Sequence, residues 1–177
     1  MDNYKNLGVW LDCKLSFQTH IKHLQYKIKS RIGFLFNNKA SFTHAAKHTL
    51  VKLTILPILD FGDVIYKIAS NTLLNKLDAV YHSAIRFDTK APYTTHHYDL
   101  YALVGWPSLH TRRQTHWLHV IYKTLLGKVP PYLSSLVTIA SPTCSMRSSR
   151  YISLVTPKTN SSFGRLSFQF SAANDWN

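Results

Sequence analysis

Ile21, Leu24, Ile28, Ile32 and Leu35 limit the fold more than any other feature of the chain. They are spaced 3, 4, 4 and 3, which draws one apolar stripe along a helix in "THIKHLQYKIKSRIGFLFNNKA". The stripe must point inward. Thr19 or Ser16 can cap the start of this helix, and Asn37-Asn38 can end it. Similar patterns follow. "SFTHAAKHTLVKLTILPILDFGDVIYKIA" reads as one long helix capped by Ser41 or Thr43, kinked or broken by Pro57, and the most buried of the set. "NTLLNKLDAVYHSAIRFDT" places Leu73, Leu77, Val80, Ala84 and Phe87 on one face. "THHYDLYALVG" gives a short helix ended by Gly105. "SLHTRRQTHWLHVIYKTLLG" gives a longer one, with Ser108 as N-cap and Gly127 past its end. "PPYLSSLV" adds one turn.

The two ends read differently. Residues 6 to 17 alternate loosely and carry Val9, Trp10 and Phe17, so the pattern predicts a short hairpin turning at Asp12-Cys13-Lys14. After residue 138 the chain is rich in Ser, Thr and Pro and loses helical periodicity; "RYISLV" can pair as a strand and "LSFQFSAANDWN" can regain a turn of helix. The expected class is mainly α: an N-terminal β-hairpin at 1–17, a helical bundle at 18–137, and an irregular C-terminal tail at 138–177.

Charge narrows the partners. The 177 residues hold 21 Lys and Arg against 8 acids, a net charge of +13, and every acid is Asp. Without Glu the cations have few local partners, and a field of that sign draws polyanions. A merely solvated basic surface is the plainer reading of the same numbers. Cys13 and Cys144 are too few for a disulfide framework. "MDNYKNLG" has no signal-peptide pattern, and Lys52, Pro57, Asp60 and Asp63 break the most apolar stretch short of the ~18 clean apolar residues a span needs. The expectation is an intracellular chain, nuclear or cytoplasmic, with no membrane partner.

On the first helix, Lys22 and Lys29 flank the stripe on one side, and His20, Lys27 and Arg31 on the other. Snorkelling around a core helix explains any one of them. Arg112, His116, His119 and Lys123, spaced 4, 3 and 4 with Arg113 at the edge, form a second cationic row opposite Trp117, Ile121 and Leu125. Such a row suits successive phosphates and is blind to sequence. The pairs His20/His23, His44/His48 and His116/His119 have helical spacing, but no further ligand stands beside them in sequence, so no metal site is expected. There is no P-loop, G-x-S-x-G or G-x-G-x-x-G. "DFG" at Asp60 stands without the other kinase signatures.

Taken in order, several stretches resemble one family. "YKNLGVWLDCKLSFQTHIKHL", through Leu7, Gly8, Leu11, Asp12, Leu15, Phe17, His20 and Ile21, resembles the segment that closes the palm and opens the thumb of LINE-type (non-LTR) retrotransposon reverse transcriptases. "LPILDFGDVIY" is similar to a thumb helix of that family. "HHYDLYALVGWPSLHTRRQTHWLHVIYKTLLGKVPPYL" is similar to its later helices, through Gly105, Trp106, Arg112, Arg113, Tyr122, Lys123 and Pro131-Tyr132-Leu133. "FGRLSFQFSAANDWN" is similar to its closing segment. The likeness is strongest to elements of fish genomes.

The resemblance implies a primer-grip-like hairpin built on Leu7, Gly8 and Trp10, then a thumb-like helical domain that follows a template–primer duplex by its backbone. The residues expected to meet nucleic acid are Lys14, Lys22, Lys27, Lys29, Arg31, Arg112, Arg113, His116 and Lys123. The family's metal-binding palm carboxylates have no counterpart here. The chain is therefore expected to be a non-catalytic C-terminal piece of such an enzyme, lacking palm and fingers, with no cofactor and no small-molecule substrate. The alternative is a helical interaction module or a degenerate product of the element.

Overall fold

In the computed structural model, which describes residues 3–140 and 152–177, the apolar stripe governs the first helix. Helix α1 runs Gln18–Asn37, and Ile21, Leu24, Ile28, Ile32 and Leu35 are all buried. The chain divides into two compact units, Met1–Arg113 and Gln114–Asn177.

In the first unit α1 packs chiefly along α5 (Asn71–Thr89), which also carries α2 (His44–Thr54) and α6 (His97–Val104). Val80, Ala84 and Phe87 are buried as their spacing predicts, and Leu77, Tyr81 and Ile85 are fully enclosed. A part-buried hydrogen bond adds to the packing: His48 Nδ1 on α2 lies 2.8 Å from Asp88 Oδ2 on α5. The expected mainly helical class with an N-terminal hairpin is what the chain adopts.

The long helix expected across Pro57 is three short ones: α2, α3 (Leu56–Asp60) and α4 (Asp63–Tyr66). Proline has no N–H to continue the ladder, so the chain restarts there. The Ile58 N–H turns back to the Ile55 carbonyl at 3.1 Å and leaves the Thr54 carbonyl open. Arg31 of α1 takes it, its guanidinium donating at 2.7 Å. The second break is Gly62, at φ +71.

The hairpin is present, but its turn is not at Asp12-Cys13-Lys14. Strands β1 (Asn3–Asn6) and β2 (Val9–Asp12) pair antiparallel, Lys5 opposite Trp10 and Asn6 opposite Val9, around the two-residue turn Leu7-Gly8. Both turn residues have positive φ, 46° and 90°, the arrangement that matches strand twist. Leucine is an unusual occupant, so the turn gave little sequence signal. A side chain at Gly8 would put its Cβ 3.2 Å from Phe61, and one at Gly62 would meet Val9 at 3.3 Å. The hairpin thus lies against the α3–α4 corner because both positions lack a side chain.

The segment expected to be the turn is a joint instead. Asp12 Oδ1 accepts from the Phe17 N–H at 3.0 Å and Oδ2 from the Ser16 N–H at 3.2 Å, while the Asp12 carbonyl accepts from Leu15. Asp12 therefore fixes the two residues before α1, while the Ser16 hydroxyl accepts from the N–H of Gln18, the first residue of the helix, at 3.4 Å. At the other end Asn38 does close α1, its side-chain amide donating to Phe34.

The second unit holds the rest of α7 (Leu109–Leu125), then α8 (Pro131–Ser134), α9 (Ser162–Arg165) and α10 (Phe168–Trp176). "RYISLV" begins outside the described residues; its later part forms one antiparallel bridge, Ile139 to Leu154. The last residues hold that stretch: Asn177 bonds both the N–H and the carbonyl of Leu154, at 2.8 and 2.9 Å, and the Trp176 indole donates to Ile152. Trp117 donates to Asp175 and meets Phe168 edge-on.

Asp12→Ala removes the acceptor for two orphan N–H groups and is expected to cost about 1–2 kcal/mol. Urea unfolding of wild type and variant measures this; unchanged stability would show that the joint holds without the carboxylate. Burial pushes the Asp12 carboxyl up, and the bonds from Ser16 and Phe17 more than reverse that, holding it below the usual range. Its contribution is thus present above the ordinary carboxylate pKa and is lost as acid protonates it through the lowered value.

Candidate nucleic-acid interface

With its stripe buried, α1 turns its polar face outward. Lys22, Lys27, Lys29 and Arg31 are all exposed, and α1 contains no acidic residue. Lys27 and Arg31 continue a row from His23, spaced 4 and 4, along one wall of a groove of about 410 Å³. Lys5 of β1 and Gly8 stand at the hairpin side, and Leu53, Pro57 and Phe61 give an apolar opposite wall. No carboxylate lines it. Lys22 and Lys29, seven residues apart, form a second exposed ridge on the same helix.

From the hairpin only Lys5 and Gly8 line the groove, and Trp10 stands behind Lys5. Trp10 is half-buried, with the Lys5 ammonium 5.5 Å from its ring centroid and His23 edge-on at 6.4 Å. Leu7 is 88% exposed at the turn, and Gly8 lets the turn sit close on Phe61.

His20 is not on the basic shoulder where spacing put it. It is buried beside Ile21, its ring 5.3 Å from Tyr66, and its Nδ1 accepts from the Trp10 N–H at 3.4 Å. That contact with the hairpin backbone draws it inward. Burial, helped by neighbouring His23, lowers its pKa from 6.5 to about 4, so the ring is neutral near pH 7.

The remaining expected residues lie elsewhere. Lys14 is exposed in the joint before α1 and does not line the groove. Arg112 forms a two-pronged pair with Asp60, one prong at 3.1 Å. Arg113 is buried, 3.9 Å from Asp78. On α7 beyond the first unit, His116 is half-buried and engaged, and Lys123 is exposed. Lys5 and His23, by contrast, join the groove without having been singled out. The strand pairing of Lys5 with Trp10 was the signal that could have found the first.

Over 136 residues, 72% of its length, the chain is 29% identical to the probable RNA-directed DNA polymerase from transposon BS of Drosophila melanogaster. It is 30% identical over 93 residues to the RNA-directed DNA polymerase from mobile element jockey of the same fly, and 34% over 95 residues to that of Drosophila funebris. This chain is related to part of the non-LTR retrotransposon reverse transcriptases. It spans only 10 to 15% of the length of these relatives. No family model matches it, and no solved structure does. Among the described residues no helix is long and apolar enough to cross a membrane.

The neutral, buried His20 gives a pH test. A folded-state pKa below the unfolded value means the unfolded chain binds the extra proton, so stability is full above about 6.5 and falls as pH drops toward about 4. The loss from this residue reaches at most about 3 kcal/mol. NMR titration of the His20 ring is expected to show a midpoint near 4. A midpoint of 6 or above would refute the buried, neutral assignment.

Proposed function

We propose that this chain is a non-catalytic, thumb-like segment of a retrotransposon reverse transcriptase that holds a nucleic-acid duplex by its phosphate backbone. The groove beside α1 carries the reading. Lys5, Lys27 and Arg31 face one channel with no carboxylate among its lining residues, and Lys22 and Lys29 extend the cationic surface. Kinship supplies the class of ligand, since the relatives are RNA-directed DNA polymerases. Contacts of this kind ignore base sequence and weaken steeply with salt. Leu7, Gly8 and Trp10 act as a primer-grip-like edge, and Lys14 approaches the same strand from the joint. Lys123 adds a further cation on α7.

Arg112 and Arg113 have a different role in this reading. Each faces an acid inside the first unit, Asp60 and Asp78 respectively, so both stabilise the fold.

Fluorescence anisotropy of a labelled RNA–DNA duplex with the full chain tests the binding. Lys22, Lys27 and Lys29 are exposed, so the triple change to Glu is expected to leave the melting temperature in place while weakening binding. The slope of log affinity against log salt should become shallower by about two to three. Equal binding by wild type and triple variant would sink the proposal. A second reading, docking of a protein on exposed Leu53 and Phe61, predicts binding that salt barely alters. Primer extension by the chain alone is expected to yield no product; incorporation of nucleotides would overturn the non-catalytic assignment.

A further inference from the structure

We propose that a second cavity in the first unit binds a single nucleotide unit, a planar base with its phosphate, independently of the groove beside α1. The cavity is about 530 Å³, within the range of small-molecule sites. It lies where the end of α1, the 3₁₀ turn Lys39–Ser41 and α2 meet the C-terminal half of α5. Its apolar part is aromatic: Phe36 and Phe87 meet edge-to-face at 5.1 Å between ring centroids. Ala40, Ser83 and Ala91 are small and leave depth in front of these rings. Tyr93 stands at the mouth, 85% exposed, with the Arg86 guanidinium 5.2 Å from its ring centroid.

Four cations share this lining: Lys39, Lys47, Arg86 and Lys90. The lining contains no carboxylate. Lys47 is decisive. It is only 5% exposed, yet its ammonium has no acid within ion-pair distance among the described residues. Its one described interaction is with the Phe87 ring, 5.7 Å from Nζ to centroid. A buried lysine is normally paired, because desolvating an ammonium is costly. Asp88, next to Phe87 in sequence, is engaged by His48 and does not line the cavity. Arg86 repeats the pattern. It donates to the Tyr93 and Thr95 carbonyls, and its buried Nε has no partner.

A lysine ammonium with no acid beside it and an unpartnered buried guanidinium nitrogen, both next to aromatic faces, suit one ligand chemistry. The anion satisfies Lys47 and Arg86, with Lys39 and Lys90 at the rim, and the ring stacks on aromatic walls. An inorganic anion would leave the aromatic wall unused, and an uncharged ring would leave the ammonium unpaired.

The test is NMR titration of the full ¹⁵N-labelled chain with adenosine 5′-monophosphate, adenosine, inorganic phosphate and oleate in parallel. The monophosphate is expected to shift amides around Lys47, Phe87 and Tyr93 and to bind at least about tenfold tighter than adenosine or phosphate alone. Lys47→Met keeps the buried stem and removes the charge. It should weaken the monophosphate at least about tenfold without lowering the melting temperature. Should that variant melt early, exposed Lys90→Gln is the second probe, with an expected loss of severalfold. The Lys22, Lys27 and Lys29 charge reversal should leave monophosphate binding unchanged, which separates this site from the proposed duplex interface. Phosphate binding as tightly as the monophosphate, preference for oleate, shifts confined to the outer face of α1, or full binding by both lysine variants would each overturn the proposal.

Discussion

The burial of α1 against α5 is the contact on which the rest depends. Ile21, Ile28, Leu77 and Ile85 are all fully enclosed, and each such side chain contributes on the order of 2 kcal/mol when taken from water. Once that seam closes, the orientation of α1 about its own axis is fixed. Lys22, Lys27, Lys29 and Arg31 have no direction left except outward. The basic face is therefore a geometric consequence of the apolar one.

The all-Asp acid set acts on a second level. Asp has a short side chain that reaches backbone N–H groups and nearby cations, and here it is used that way. Asp12 ties the hairpin to α1, Asp60 grips Arg112, Asp88 bonds His48, and Asp175 accepts from Trp117. These four carboxylates are drawn into internal contacts, Asp99 of α6 stays exposed, and α1 carries no acid. An excess that looks like composition in the sequence becomes a localised surface field in the folded chain, which is the form in which charge can attract a partner.

Much of this was legible in advance, and most of the failures share a cause. The helical stripes were readable because residues three and four apart share a face whatever surrounds them. Thr43 caps α2, Gly105 ends α6, and the Ser108 hydroxyl accepts from Thr111, all as local signals imply. Lys27 and Arg31 of the groove came from the same local logic. What escaped depends on contacts distant in sequence. His20 is buried because β2 reaches its ring. The Arg112–Asp60 pair joins residues 52 apart, and nothing near either foretells it. The turn at Leu7-Gly8 escaped because its first residue is not one that turns favour.

Arg31 connects these levels. Its guanidinium is held by the Thr54 carbonyl that the break at Pro57 leaves open, and the same side chain lines the basic groove. A lysine on that ridge must surrender rotamer freedom when an anion arrives. Arg31 has already surrendered much of it during folding, against a partner that uses only part of the fork's five donors. A break in one helix thus sets a cation in place on another. A ligand that meets Arg31 finds a donor whose ordering entropy was settled before the encounter.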